Sequence, residues 1–126
     1  MNRKKKNKIL IVEDDRFLTK LLSLRLERNG FEVEASFDGE EALEKIKKQS
    51  PDLIVLDLIL PKKDGFEVLE ELKKINKGKK IPVLILSNLG QDLDVERGLK
   101  LGAVGYIVKT EIPLSQVIEK IKSYFK

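Results

Sequence analysis

The 126-residue sequence contains no cysteine and no histidine. Without cysteine there is no disulfide framework, no thiol nucleophile and no thiolate-held zinc. Without histidine, serine–histidine and cysteine–histidine catalytic pairs are excluded, along with the ordinary zinc centres. Long apolar runs are missing too. The basic start is followed by only four apolar residues, Ile9 to Val12, and then by acids. A secretory leader needs a longer apolar stretch, and a membrane-spanning helix needs about 20 such residues. The expectation is a soluble, cytoplasmic protein with no membrane partner. Any chemistry must run on carboxylates, hydroxyls and amines.

At 41% hydrophobic residues, the chain can build a core, which excludes wholesale disorder. Its length suits one domain. The net charge of +4 comes from the start, where Arg3, Lys4, Lys5, Lys6 and Lys8 supply five of the 25 positive charges. Without them the remaining charges nearly cancel. We read residues 1–7 as a basic tail and 8–126 as the folded domain. A short basic terminus is more often solvated than bound, so nucleic acid is not an expected partner.

Four apolar runs do not alternate with polar residues: Ile9–Val12, Leu53–Leu56, Val83–Leu86 and Val104–Val108. Strands covered on both faces of a parallel sheet have this character. A fifth run, Phe31–Ala35, alternates and suits a sheet edge, where charge discourages strand pairing. Five helical stripes lie between and after them. The first holds Phe17, Leu18, Leu21, Leu22 and Leu26, with Asp15 as N-cap and Gly30 as stop. The second holds Ala42, Leu43 and Ile46 and ends before Ser50-Pro51. The third holds Phe66, Leu69, Leu72 and Ile75. A weaker fourth holds Leu93, Leu99 and Leu101, closing at Gly102. The fifth runs from Leu114 to Phe125, with Pro113 suited to its first position. Strand–helix alternation of this kind predicts an α/β fold with a parallel sheet and right-handed crossovers. The chain stops with the fifth helix, so no attached output domain is expected.

Ligands of open parallel sheets bind beyond the carboxyl ends of the strands. There the sequence places Glu13, Asp14 and Asp15 after the first strand, Asp57 after the third, Ser87 after the fourth and Lys109 after the fifth. Asp15 is accounted for as a helix cap. If the first and third strands are neighbours, Glu13, Asp14 and Asp57 converge, and their mutual repulsion calls for a cation. Mg²⁺, which takes one or two carboxylates with waters and phosphate oxygens, fits this donor set, and Mn²⁺ is a possible substitute. The loop Leu58–Gly65 has its own turn residues in Pro61 and Asp64-Gly65, so Asp57 is not needed to make the turn. A carboxylate beside a divalent cation can attack a phosphoryl group to give an acyl phosphate. Lys109 and Ser87 are then a cation and a hydroxyl for the phosphoryl oxygens.

These segments resemble the receiver domains of two-component response regulators. The resemblance rests on Lys8-Ile-Leu-Ile-Val-Glu-Asp-Asp15, Pro51-Asp-Leu-Ile-Val-Leu-Asp57-Leu-Ile-Leu-Pro61 with Asp64-Gly65, Pro82-Val-Leu-Ile-Leu-Ser87, and Gly102-Ala-Val-Gly-Tyr-Ile-Val-Lys109. It covers nearly everything after the tail, and the combination is more specific than any piece. It implies a flavodoxin-like (βα)5 sandwich with a five-stranded sheet in the order 2-1-3-4-5. Asp57 would be the phosphoacceptor. Asp14 would ligate Mg²⁺ directly, Glu13 through water, and the backbone carbonyl of Ile59 would be a further ligand. Ser87 and Lys109 would bind the phosphoryl group, and Tyr106 would be an aromatic switch that turns inward as Ser87 moves. The face made by helix 4, strand 5 and helix 5 would report the change. A sensor histidine kinase, a phosphotransfer protein or a small acyl phosphate would be the donor. A downstream protein would be the target, and the domain would be a monomer or a phosphorylation-dependent dimer. It would not be an enzyme beyond its own phosphotransfer and dephosphorylation.

Two departures qualify the resemblance. Family members usually carry proline after the lysine, often with a cis bond; here Thr110 follows Lys109. Ile59 and Leu89 put apolar groups beside the site, which would shield an acyl phosphate from water and slow its loss. Three other readings compete with a phosphorylation switch. A phosphatase of the haloacid dehalogenase type would need a second acid two residues after Asp57, where Ile59 stands. A flavin- or nucleotide-binding module would need a glycine-, serine- or threonine-rich loop after the first strand, where the acids stand. A degenerate docking receiver would not need the full set of side chains found here.

Overall fold

The computed structural model describes residues 6–75 and 80–125. Most of the basic tail, residues 1–5, lies outside them. Each apolar run becomes a strand and each stripe a helix. In chain order they are β1 (Lys8–Val12), α1 (Arg16–Arg28), β2 (Glu32–Ser36), α2 (Gly39–Gln49), β3 (Leu53–Leu56), α3 (Gly65–Ile75), β4 (Val83–Ser87), α4 (Asp92–Lys100), β5 (Gly105–Val108) and α5 (Leu114–Ser123). All strand pairs are parallel, in the order β2-β1-β3-β4-β5. This is the flavodoxin-like arrangement that the resemblance implied.

The non-alternating runs have the expected cause. Successive side chains of a strand point to opposite faces, and here both faces are covered. Leu10, Val12, Ile54, Leu56, Val83 and Ile85 pack with α2 and α3 on one side. Ile9, Ile11, Leu53, Val55, Leu84, Leu86 and Ile107 pack with α1 and α5 on the other. The alternating run forms edge strand β2, one residue later than its pattern indicated. Phe31 precedes the strand and packs on Phe125, with ring centroids 5.0 Å apart.

Helix ends follow local chemistry. Asp15 caps α1, its Oδ1 accepting from the N–H groups of Phe17 and Leu18 at 3.0 and 3.1 Å. Asp38 caps α2 by accepting from Glu41 N–H. Asp64 and Glu67 cap α3 reciprocally, each backbone N–H donating to the other's carboxylate.

Three expectations are corrected. Pro113 is the N-cap of α5, one residue before its first position. Phe17 is 73% exposed, because it lies off the buried face formed by Thr19, Leu22 and Leu26. The fourth stripe is not a buried stripe. Leu93 and Leu99 are exposed, and the one buried residue of α4 is Gly98. Six residues turn a helix by about 600°, which leaves those two leucines about 120° apart. Glycine at 98 lets α4 lie against β4 and β5, since a Cβ there would fall 2.6 Å from Ile85 Cδ1 and 3.3 Å from the Tyr106 ring.

Candidate functional site

The carboxyl ends of β1, β3, β4 and β5 bring the rim residues together. Asp57 follows β3, the central strand, and its N–H donates to Val12 O at 2.9 Å. Its side chain is buried, and both carboxylate oxygens have partners. Oδ1 accepts from the Ser87 hydroxyl at 2.7 Å and from Ile59 N–H at 3.1 Å. Oδ2 accepts from Lys109 Nζ at 2.8 Å.

Lys109 also lies 2.6 Å from Glu13 Oε1, so one ammonium bridges two buried carboxylates. Glu13 Oε2 accepts from Asp15 N–H at 3.1 Å. Burial pushes the Glu13 carboxyl above its usual range. The bonds from Lys109 and Asp15 oppose the rise without cancelling it, and the Asp57 charge adds to it. Burial alone would lower the Lys109 ammonium, but its bonds to Asp57 and Glu13 outweigh this and raise it. The repulsion anticipated among the acids is thus partly relieved by Lys109. The replacement of proline by Thr110 does not misdirect that side chain, and no peptide bond among the described residues is cis.

Asp14 is exposed and, among the described residues, its carboxylate accepts no hydrogen bond. Glu13, Asp14 and Asp57 each offer a carboxylate oxygen within 4.8 Å of the others. Three carboxylates against one ammonium leave two negative charges, which a divalent cation balances. The donors are hard oxygens, as Mg²⁺ requires. The Ile59 carbonyl, on the loop after Asp57, receives no backbone hydrogen bond among the described residues. The residues present therefore fit a Mg²⁺ site.

Tyr106 on β5 is half-buried, and its hydroxyl donates to the Leu89 carbonyl in the loop after β4. The same loop begins at Ser87, whose Oγ accepts from Leu89 N–H at 3.3 Å. Ile59 is 52% exposed, while Leu89 packs against the core, so of the two apolar neighbours only Leu89 is anchored. Two contributors were not legible as site residues. Thr19 is buried and its hydroxyl donates to the Asp15 carbonyl at 2.9 Å, bracing the acidic loop. Gly65 lets the β3–α3 loop fold back, its N–H donating to Leu58 O at 2.9 Å. A Cβ there would meet Leu58 Cα at 2.6 Å. Asp64-Gly65 was a visible turn signal, but Thr19 gave none, since a lone threonine among the leucines of a helix forms no pattern.

The comparisons with known proteins agree with this geometry. The family model described as response regulator receiver domain matches residues 9–122. The alkaline phosphatase synthesis transcriptional regulatory protein PhoP of Bacillus subtilis is 40% identical over 119 residues, covering 94% of this chain and 48% of that protein. The transcriptional regulatory protein CpxR of Klebsiella pneumoniae is 45% identical over 103 residues, 82% of this chain and 43% of that protein. The chain spans about half the length of the curated relatives it matches. Among solved structures, the BeF3-activated N-terminal receiver domain of Klebsiella pneumoniae RstA superposes with a TM-score of 0.85 at 31% identity, covering 95% of this chain and 99% of that one. A CheY-like receiver domain protein of Methanospirillum hungatei gives 0.86 at 30% identity, covering 95% and 94%. Receiver domains bind Mg²⁺ at an acidic pocket and interact with histidine kinases and downstream effectors. This chain belongs to the response regulator receiver domain family.

Proposed function

We propose that this chain is a phosphorylation-controlled switch whose phosphoacceptor is Asp57. The observation that supports it best is the convergence on Asp57 of Lys109, Ser87 and the carboxylates of Glu13 and Asp14. An Asp57 carboxylate oxygen attacks the phosphorus of a phosphohistidine or a small acyl phosphate. The bond from phosphorus to the donor atom breaks, the donor keeps its electron pair, and an acyl phosphate remains on Asp57. Lys109 releases part of its hold on the carboxylate to meet a phosphoryl oxygen, and the Ser87 hydroxyl follows a second one. Glu13, Asp14, Asp57 and the Ile59 carbonyl hold the divalent cation, which when bound neutralises phosphoryl oxygen charge.

Phosphorylation adds about −1.5 to −2 charge at this rim. Ser87 moves, and through Leu89 it disturbs the Tyr106 hydroxyl bond, so the α4–β5–α5 face changes for its partner. A histidine kinase or phosphotransfer protein is the proposed donor and a downstream protein the proposed target. The site serves phosphotransfer to and from Asp57 and not turnover of other substrates, as Ile59 occupies the place where a second acid would act.

Intact-mass spectrometry after incubation with acetyl phosphate and Mg²⁺ tests this reading. One added phosphoryl group is expected in the wild type and none in Asp57→Asn. An unmodified wild type, or a modified Asp57→Asn, overturns it. Steady release of phosphate from small phosphoesters would favour the phosphatase reading instead.

A further inference from the structure

Gly39, the first residue of α2, is buried, and no positive φ accounts for glycine there. Its neighbour does. A Cβ at this position would lie 2.7 Å from Lys63 Cβ and 2.8 Å from the Lys63 carbonyl carbon, and closer still to the carbonyl oxygen. Two of these three atoms are backbone, which cannot swing aside as a flexible side-chain end can. Any side chain at 39 must therefore push the β3–α3 loop away from α2.

That loop carries the Ile59 carbonyl. Its start is fixed by Leu58, which is buried in the core and accepts from Gly65 N–H. Its end is fixed by the Asp64–Glu67 pair. Between these anchors the loop leans on α2 at three neighbouring residues. Gly39 N–H donates to Pro61 O at 3.4 Å, Lys62 Nζ lies 3.7 Å from Asp38 Oδ2, and Lys63 sits on Gly39. Lys62 also adopts a left-handed backbone with φ of 68°. A non-glycine residue holds that conformation only when its surroundings enforce it. The positive end of α2 faces the carbonyls of this segment, which suits their dipoles.

We propose that Gly39 is a positioning residue for the cation site. By admitting Pro61 and Lys63 against α2 it sets the path of residues 58–64, and with it the placement of the Ile59 carbonyl beside the carboxylates. This rests on the function proposed above. Gly39 itself touches neither cation nor phosphoryl group.

Gly39→Ala tests it against Gly30→Ala. Gly30, at the opposite end of the sheet, has φ of 89° with nothing within 4 Å of an added Cβ. Alanine there strains the backbone without touching the loop. Mg²⁺ binding is read by titration calorimetry, and the Ile59 and Lys63 amide resonances are read without metal. Gly39→Ala is expected to bind Mg²⁺ about tenfold more weakly, the cost typical of losing an outer-shell support. Both amide resonances should shift before any metal is added. Gly30→Ala should melt earlier yet keep wild-type affinity and amide positions. A folded Gly39→Ala protein with wild-type Mg²⁺ affinity overturns the inference alone, and so does equal weakening in both variants. Failure of Gly39→Ala to fold also counts against it, since a displaced loop and not a lost fold is required. A wild type that takes up no Mg²⁺ overturns the underlying function as well.

Discussion

The Ser87 hydroxyl donates to Asp57 Oδ1 at 2.7 Å, joining residues 30 apart in the chain. Both side chains are buried. Ser87→Ala removes the bond but leaves Asp57 bonded to Ile59 N–H and Lys109. The acid is therefore not orphaned, and the expected loss is about 1–2 kcal/mol in urea unfolding. An unchanged midpoint would mean that the bond is not maintained in solution.

Lys109 bridges two buried carboxylates with a single positive charge, and its removal leaves both without that cation. Lys109→Met should cost about 3 kcal/mol in metal-free buffer. A ligand that binds only the folded state stabilises it. Excess Mg²⁺ should therefore restore more stability in Lys109→Met than it adds to the wild type. Thermal melts with and without Mg²⁺ decide this, and equal Mg²⁺ effects on both proteins would contradict it.

Burial, with the charges of Asp94 and Asp57, pushes the Tyr106 phenol up to about 12 from an ordinary 10.0. The raised value means the fold favours the neutral phenol. Its stabilising contribution is complete below pH 10 and is lost as pH rises through about 12. Tyr124→Phe leaves Tyr106 as the one tyrosine of the chain's two, so its phenolate absorbance can be titrated alone. Ionisation near the ordinary value would refute the assignment. Tyr106→Phe should flatten the alkaline fall in stability over that window.

The Tyr124 hydroxyl is buried without a partner among the described residues. A Cβ at Gly105 would lie 2.5 Å from it. Tyr124→Phe should be neutral or stabilise by up to about 1 kcal/mol, because an unsatisfied polar group leaves the interior. Gly105→Ala should destabilise, and less so in the Tyr124→Phe background. A double-mutant cycle measures the difference, and strict additivity would show that ring and glycine do not meet.

The sheet and its rim were readable because strands buried on both faces are unbroken apolar runs, and because a charged residue at the end of such a run stands out. Asp57, Lys109 and Ser87 were found this way. The bridge from Lys109 to Glu13 was not, since it depends on the depth of a side chain beyond β1 and not on its type. Phe17, Leu93 and Leu99 were misplaced because hydrophobicity was counted without the rotation between residues. Gly39 stands ahead of the second helical stripe, where a glycine draws no notice. Its close approach to Lys63 joins segments far apart in sequence, and no local pattern reports it.

The helices are secured very unequally. α2, α3 and α5 each bury several aliphatic or aromatic side chains, whereas α4 buries one glycine and rests Arg97 on the Phe66 ring at 4.1 Å. α4 buries no apolar side chain of its own, so its opening need not drag the remaining layers with it. Amide hydrogens of α4 should then trade with solvent long before those of β1, β3 and β4. The surface nearest the loop after Ser87 can thus be remade while the strand ahead of Asp57 stays locked between its two neighbours.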